Sequence, residues 1–352
     1  MGPPDISELR AEVSPETDAE QRQWSKALAP YRGPNRLRST WELVVTSAPF
    51  FLFWGGAMAL LALDMWWGVF LTIPAAAFLI RLFMIQHDCG HGALFNRRRT
   101  NDWIGRVIGV LTLTPYEYWR RTHSVHHAWA GNLDERGMGD VVTLTIAEYR
   151  AMSRGQRLGY RLYRNPAFFL VIGSAVTFLL KHRLPMGLMR SGARPWLSTM
   201  GTNAMIVLIA SLLIWAVGLG PFLIVQLTVT LLAGSVGIWL FFVQHQFEDT
   251  YWEAADEWSF QKGALHGSSH YDLPPVLRWF TANIGIHHVH HLASRIPFYR
   301  LGQVLRDFPE LRARGRLTLL KSFRAARLAL WDEEGKHLVS FRDAARIDFR
   351  PA

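Results

Sequence analysis

Cysteine is nearly absent. The 352 residues contain one, Cys89, which excludes a disulfide framework, a CxxC motif and a cysteine-ligated iron–sulfur centre built from this chain. No internal repeat or low-complexity tract occurs. The first residues, "MGPPDISELRAEVSPETDAEQ", lack the basic-then-apolar pattern of a cleavable signal, and "MGPPDI" lacks the Ser or Thr of a myristoylation site. The formal net charge is +10, yet no Lys/Arg stripe with interleaved aromatics appears, so no nucleic-acid partner is expected. Juxtamembrane arginines facing anionic lipid headgroups fit the charge instead.

Apolar sequence is plentiful. Half of the residues are hydrophobic, 15 are Trp, and the mean hydropathy is +0.07, high for a soluble enzyme of this length. From Trp41 to Leu63 the chain is nearly all apolar, and after Asp64 it is apolar again from Met65. A second pair of runs flanks the tight "GLGP" turn at 218–221. Each run approaches the ~20 residues that cross a ~30 Å hydrocarbon layer. The spacing predicts an all-α integral membrane protein with two helical hairpins, 41–63 with 65–86 and 197–217 with 222–243. Trp66 and Trp67 beside Asp64 suit an interfacial turn. A shorter apolar stretch, 167–180, suits an interfacial or re-entrant segment.

Charge orients the hairpins. Arg97–Arg99, Arg120, Arg121, Lys181, Arg183, Arg190 and Arg194 all fall between them, whereas neither turn carries Lys or Arg. The positive-inside rule then puts both turns outside, and both termini, the middle segment and the C-terminal third in the cytosol. The expected organisation is a loosely ordered cytosolic arm over 1–40, a membrane domain over 41–310 and a cytosolic tail over 311–352.

Histidine is the unusual residue. Of 14, most fall in three clusters: "HDCGH" with His87 and His91, "HSVHH" with His123, His126 and His127, and "HHVHH" with His287, His290 and His291. One HxxxH pair is weak evidence, because a random helix can carry it. Two HxxHH clusters in addition are hard to explain without metal. His87 follows Met65 by 22 residues, roughly 33 Å of helix, so it emerges on the cytosolic side. His245 in "VQHQF" reaches the same face along the second hairpin, and the other clusters lie in segments that charge assigns to the cytosol. Nine imidazoles exceed what one ion accepts, so two metals are implied. Zinc takes imidazole too, but a His-rich pair at a membrane surface suits a redox metal better, iron first. His266 and His270 compete with His245 for the ninth position, yet Gly263, Gly267, Ser268, Ser269 and Pro274 disfavour the continuous helix their spacing needs.

These clusters, in this order and separated by two hydrophobic hairpins, resemble the membrane fatty acid desaturases. The flanks "GNLDERGMGDVVTLTIAEY" (131–149) and "FFVQHQFEDTYWE" (241–253) are more similar to the Δ12/ω6 acyl-lipid branch than to the acyl-CoA branch. The similarity runs from about residue 40 to 305. It implies a four-helix transmembrane bundle capped by a cytosolic helical domain that holds a His-ligated di-iron centre, with no catalytic residue beyond the metal ligands. The implied reaction uses O₂ and two electrons to leave a cis double bond in a membrane-lipid acyl chain. A mid-chain methylene has no acidity that side chains could exploit, which accords with a metal–oxygen oxidant. No electron-carrier module is visible in the sequence, so a separate soluble donor, ferredoxin-like and docking on the arginine-rich face, is expected. The implied location is a bacterial inner membrane.

Asp88, Asp140 and Asn283 are candidates for orienting ligand ring N–H groups, against ordinary surface, turn or cap roles. Cys89 is read as an inert thiol, His182 and His337 as surface residues, and His288 as pointing away from the metal. Gln226 and Ser235 either line a substrate tunnel or are polar groups satisfied within the packing. Alkane hydroxylases and carotenoid hydroxylases or ketolases share the histidine pattern and remain alternatives. A non-enzymatic metal transporter or sensor is a further one, but its ligands would sit near the bilayer midplane.

Overall fold

The computed structural model describes residues 23–347 apart from Met138. Most of the expected arm, 1–22, and the last residues, 348–352, lie outside that range.

Among the described residues, four helices are long and apolar enough to cross a membrane. The first, α1 (Arg36–Ala62), starts where the Asn35 side chain accepts the Arg38 amide. It ends in a turn at Asp64, which adopts the left-handed conformation, one that Asp tolerates better than most residues. A 3₁₀ turn at Trp66–Leu71 leads into α2 (Thr72–His91). Trp66 and Trp67 are exposed there, as an aromatic belt requires. Gly92, with φ +67°, stops α2 directly after His91; the left-handed cap is a position glycine fills without strain. Two shorter helices follow, α3 (Arg98–Leu111) and α4 (Tyr116–Trp129), and then α5 (Arg154–Tyr163). After α5 the chain bends by 71° into the apolar segment Phe168–Arg183, a broken span or re-entrant loop. The second hairpin is α6 (Ala193–Val217) and α7 (Leu219–His245), joined at Gly218 with φ +87°.

Burial distinguishes the spans. The most apolar window of α2 is 56% buried within the protein, whereas that of α6 is 0% buried. A helix of that hydropathy with so little of its surface covered by protein needs an apolar solvent, and lipid supplies one. α2 is therefore the central helix, packed by α1, α3 and α7, and it carries the first histidine cluster inward.

The rest of the chain caps one end of these helices. α8 (Phe260–His266) and α9 (His287–Leu292) are short. Two small sheets complete the cap: β1 (Leu144–Thr145) lies parallel to β4 (Leu328–Asp332), which pairs antiparallel with β5 (His337–Ser340), and β2 (His270–Asp272) lies parallel to β3 (Arg316–Thr318). Residues 316–340 thus fold back onto strands from the middle of the chain. Trp24 packs edge-on against Phe308 at 5.8 Å, and the Tyr31 hydroxyl donates to Asp307 at 2.6 Å, so the segment before α1 is tied to the cap as well.

One charged pair lies between the spans. Arg81 of α2 and Glu42 of α1 form a salt bridge with side-chain exposures of 2% and 3%. Arg81 also donates through Nε to the Thr46 hydroxyl at 3.1 Å and through Nη1 to the Trp279 carbonyl, and its guanidinium stacks 3.9 Å from the Trp279 ring. The pair thereby links both helices of the first hairpin to the short helix Pro275–Phe280 that precedes α9. Removing one partner would strand a buried charge, which typically costs ~3–5 kcal/mol. Arg81→Ala should therefore lower unfolding stability in detergent micelles by about that amount. Arg38→Ala, which removes a half-exposed partner of the same carboxylate, should cost under ~1 kcal/mol. Equal losses in the two variants would remove the pair from this role.

Candidate metal centre

The nine histidines come from four helix segments that end at one surface. His87 and His91 occupy the last two turns of α2, and His245 is the final residue of α7. His123, His126 and His127 lie on α4, and His287, His290 and His291 on α9. α9 has only six residues and no side-chain cap, so its position depends on neighbours. The Ser269 carbonyl accepts the amides of His287 (3.2 Å) and His288 (3.4 Å). Ser269 in turn donates its amide to Gln244 O at 2.9 Å and its hydroxyl to Val243 O at 3.1 Å. The last turn of α7 and the first turn of α9 are thus fixed to one residue.

The ring nitrogens sort into two groups. His87, His91, His123, His127 and His290 form one, and His126, His245, His287 and His291 the other, with ligand atoms inside each group within 4.8 Å of one another. Helix geometry explains the split. At about 100° per residue, positions i and i+4 share a face and i+3 is turned away from their midline. In each HxxHH cluster the i and i+4 rings therefore go to one group and the i+3 ring crosses to the other. α4 sends His123 and His127 to the first group and His126 to the second, while α9 does the reverse.

The donors suit a metal. Several Nε2 atoms face one another at 3.0–3.1 Å: His91 with His123, His123 with His127, His127 with His290, and His287 with both His245 and His291. Burial pushes His123, His127, His287, His290 and His291 well below the usual imidazole range, because a charged ring there would lose its hydration. Neutral imidazoles present lone pairs, and convergent buried lone pairs lacking a cation oppose one another. Partners on the far nitrogen fix the tautomer in two cases. His245 Nδ1 donates to the Gly267 carbonyl at 2.9 Å, and His126 Nδ1 donates to the Asp140 carboxylate, leaving its Nε2 buried and without a hydrogen-bond partner in the protein. A nitrogen-only donor set of five and four fits two borderline transition-metal ions.

The other sequence candidates divide. Asp140 holds a ligand ring. Asp88 accepts the Phe298 amide at 2.8 Å and lies 3.5 Å from His87 Nδ1, so it lies against both His87 and the first residue of the helix that follows α9. Asn283, in the left-handed region, donates to the Phe298 carbonyl at 3.1 Å and shapes the approach to α9 rather than touching a ring. Cys89 is buried, outside both groups. His288 donates to the Leu311 carbonyl at 2.8 Å. His270 donates to the Arg312 carbonyl at 2.7 Å, and His266 Nε2 lies 3.4 Å from Arg314. Gln226 bonds Trp54 and Thr230, and Ser235 bonds the Leu170 carbonyl, both as packing groups. His182 departs from the surface reading: it is half-buried, 3.4 Å from the Thr114 hydroxyl, and faces a cavity.

That cavity, about 950 Å³, runs between α2, α7 and the 168–182 segment and reaches His87, His123 and His287. Leu79, Ile80 and Phe83 of α2 and Ala233, Gly237 and Phe241 of α7 line it. Trp119 lines it too, stacked on His123 at 4.5 Å. Sequence reading passed over Trp119, although it precedes His123 by four residues on the same helical face.

A family model described as fatty acid desaturase matches residues 64–322. The chain belongs to the fatty acid desaturase family. A Bacillus subtilis (strain 168) protein named "Fatty acid desaturase" is 42% identical over 331 residues, 93% of this chain and 92% of that one. A Synechocystis "sn-1 acyl-lipid omega-3 desaturase (ferredoxin)" is 29% identical over 264 residues, 68% of this desaturase and 67% of that one. A Synechocystis "sn-1 oleoyl-lipid 12-desaturase" is 27% identical over 233 residues, 62% of each.

The metal count follows from this geometry. His245→Ala should lower bound metal, measured per chain by plasma mass spectrometry, and abolish desaturation. His266→Ala and His270→Ala should retain most of the metal and some activity. Full metal in His245→Ala with loss in either of the others would reassign the ninth ligand.

Proposed function

We propose that this desaturase places a cis double bond in an acyl chain of a membrane lipid, using O₂ and two electrons at a di-iron centre. The balance is a CH₂–CH₂ unit, O₂, two electrons and two protons giving CH=CH and two waters. The observation that carries the reading is the apolar cavity that leaves the bilayer region and ends at both histidine groups. A bound iron pair would supply O₂-dependent oxidation of an unactivated C–H bond. This chain's own residues do the rest. Leu79, Ile80, Phe83 and Phe241 hold the methylenes and exclude water, and Trp119 walls the cavity where His123 borders it. The nine imidazoles, gathered in groups of five and four, would hold the two ions.

The finer readings have separate support. Placement of Δ12/ω6 type rests on the 131–149 and 241–253 segments and on the 12-desaturase among the relatives. Iron rather than another metal rests on the all-imidazole donor set and on the need for redox chemistry. A ferredoxin-like donor rests on two relatives named with "(ferredoxin)" and on the exposed Arg97, Arg98 and Arg99 one turn beyond His91. A bacterial inner-membrane location, with termini and site cytosolic, rests on the placement of Lys and Arg between the hairpins.

Expression in a host with a simple lipid profile tests the reaction. Mass spectrometry of its fatty acids should find new cis-unsaturated chains on membrane lipids, dependent on His123; hydroxylated or ketonised products would transfer the protein to the alternative reactions. Co-expressed ferredoxin should raise the yield, and changing Arg97, Arg98 and Arg99 to Glu should remove that gain. Unchanged yield in the triple variant would rule out donor docking there.

Topology is checked independently. A reporter fused after Gly220 should read as external, and one after Ala130 as cytosolic. An external reading after Ala130 would invert the orientation.

A further inference from the structure

Far from the histidines along the chain, α5 carries its charge in an unusual place. At about 100° per residue, Arg154, Arg157 and Arg161 lie within about 60° of one another, and Leu158 and Leu162 form the adjoining row. Tyr160 and Arg164, on the other side, are buried against the cap: Tyr160 donates to the Ala329 carbonyl at 2.7 Å and Arg164 to Gln246 at 2.8 Å. Leu158 and Leu162 are 59% and 49% exposed. The helix then bends by 71° into the Phe168–Arg183 segment, where Val171 and Leu180 are exposed in turn. A helix with this arrangement lies along a membrane surface, its leucines in the acyl boundary and its arginines at the depth of the headgroups.

The three arginines also border a cavity of about 400 Å³ between α5, Tyr149 and Phe341. Two of them are held in place. Arg161 Nε donates to the Tyr149 hydroxyl at 2.6 Å, with its guanidinium 4.7 Å from the Phe341 ring. Arg157 Nε donates to the Met152 carbonyl at 2.9 Å. Among the described residues none of the three forms an ion pair, and no Asp or Glu lines the cavity. Some other arginines of the cap are neutralised, as Arg136 with Glu148 and Arg316 with Asp272. Like charges gathered around one concave site repel unless an anion joins them, and guanidinium forks match the geometry of phosphate oxygens.

We propose that this pocket binds the phosphate of an anionic membrane lipid, at a site distinct from the substrate cavity, with the lipid's acyl chains along Leu158 and Leu162. The lipid is an anchor for the bend between α5 and the 168–183 segment, which walls the substrate cavity. The assignment rests on membrane insertion alone and survives any outcome for the reaction itself.

The test uses the full chain in mild detergent, titrated with phosphatidylglycerol or phosphatidylcholine of identical acyl chains and read by native mass spectrometry. Wild type should retain one phosphatidylglycerol at concentrations where phosphatidylcholine is lost. Arg154→Glu and the double variant R157Q/R161Q should each weaken that retention about tenfold or more. Arg154 is exposed and begins α5, where an acidic residue favours the helix, so Arg154→Glu separates lost binding from lost folding. Equal retention by wild type and Arg154→Glu would overturn the site. Displacement of the lipid from wild type by millimolar inorganic phosphate would make the ligand the free ion and overturn the lipid assignment.

Discussion

Gathering nine imidazoles into two groups whose ring nitrogens converge is the constraint on which the rest of this structure depends. Such rings gain nothing from one another. Seven of the nine are buried and His91 and His123 partly so, and their nitrogens face one another at close range. The arrangement holds only because the backbones that carry the rings are fixed independently of them. α2 and α7 are membrane-length helices whose last turns end at the site, and α4 is docked against the end of α2. The shortest carrier, α9, could not hold itself, and the Ser269 carbonyl holds its first turn. A bound metal pair would convert an unfavourable convergence into a favourable one.

The bilayer enters the same argument from the other side. A substrate methylene has to reach the rings without passing through water, and the cavity between α2, α7 and the 168–182 segment provides the route. Its apolar walls belong to the same helices whose ends carry His87 and His245, so substrate path and ligands share one rigid frame. The Arg81–Glu42 pair connects that frame to the short helix that holds Trp279 and thus to the residues before α9. A charge buried between membrane helices is tolerated when it has partners on every side, and here it ties the ligand-bearing pieces together.

Much of this was legible because histidine spacing and hydropathy are local signals. Two hairpins could be read from runs of apolar residues, and the clusters from HxxxH and HxxHH. The choice of His245 over His266 and His270 rested on glycines and serines that interrupt the helix, and the structure brings His245, not the other two, into the second group. Other features depend on contacts distant in sequence. Helix periodicity turns His126 and His290 away from the i and i+4 rings of their own clusters, but which group each one joins needs the relative placement of α4 and α9. Asn283 could be flagged as near the site, but its bond to Phe298 is a matter of loop path. His182 was misplaced on the surface because an apolar segment of 14 residues does not reveal that it folds against α7 and encloses a cavity. The strands after residue 310 were invisible for the same reason: β3 and β4 find partners some 46 and 186 residues earlier in the chain.

The central claim is that two metal ions sit in one all-imidazole constellation, five ligands to one and four to the other. Anomalous diffraction from crystals of the iron-loaded protein, collected on both sides of the iron edge, tests it most directly. The account predicts two anomalous peaks, one enclosed by His87, His91, His123, His127 and His290 and the other by His126, His245, His287 and His291. A single peak, or a peak coordinated by Cys89, His266 or His270, would contradict it.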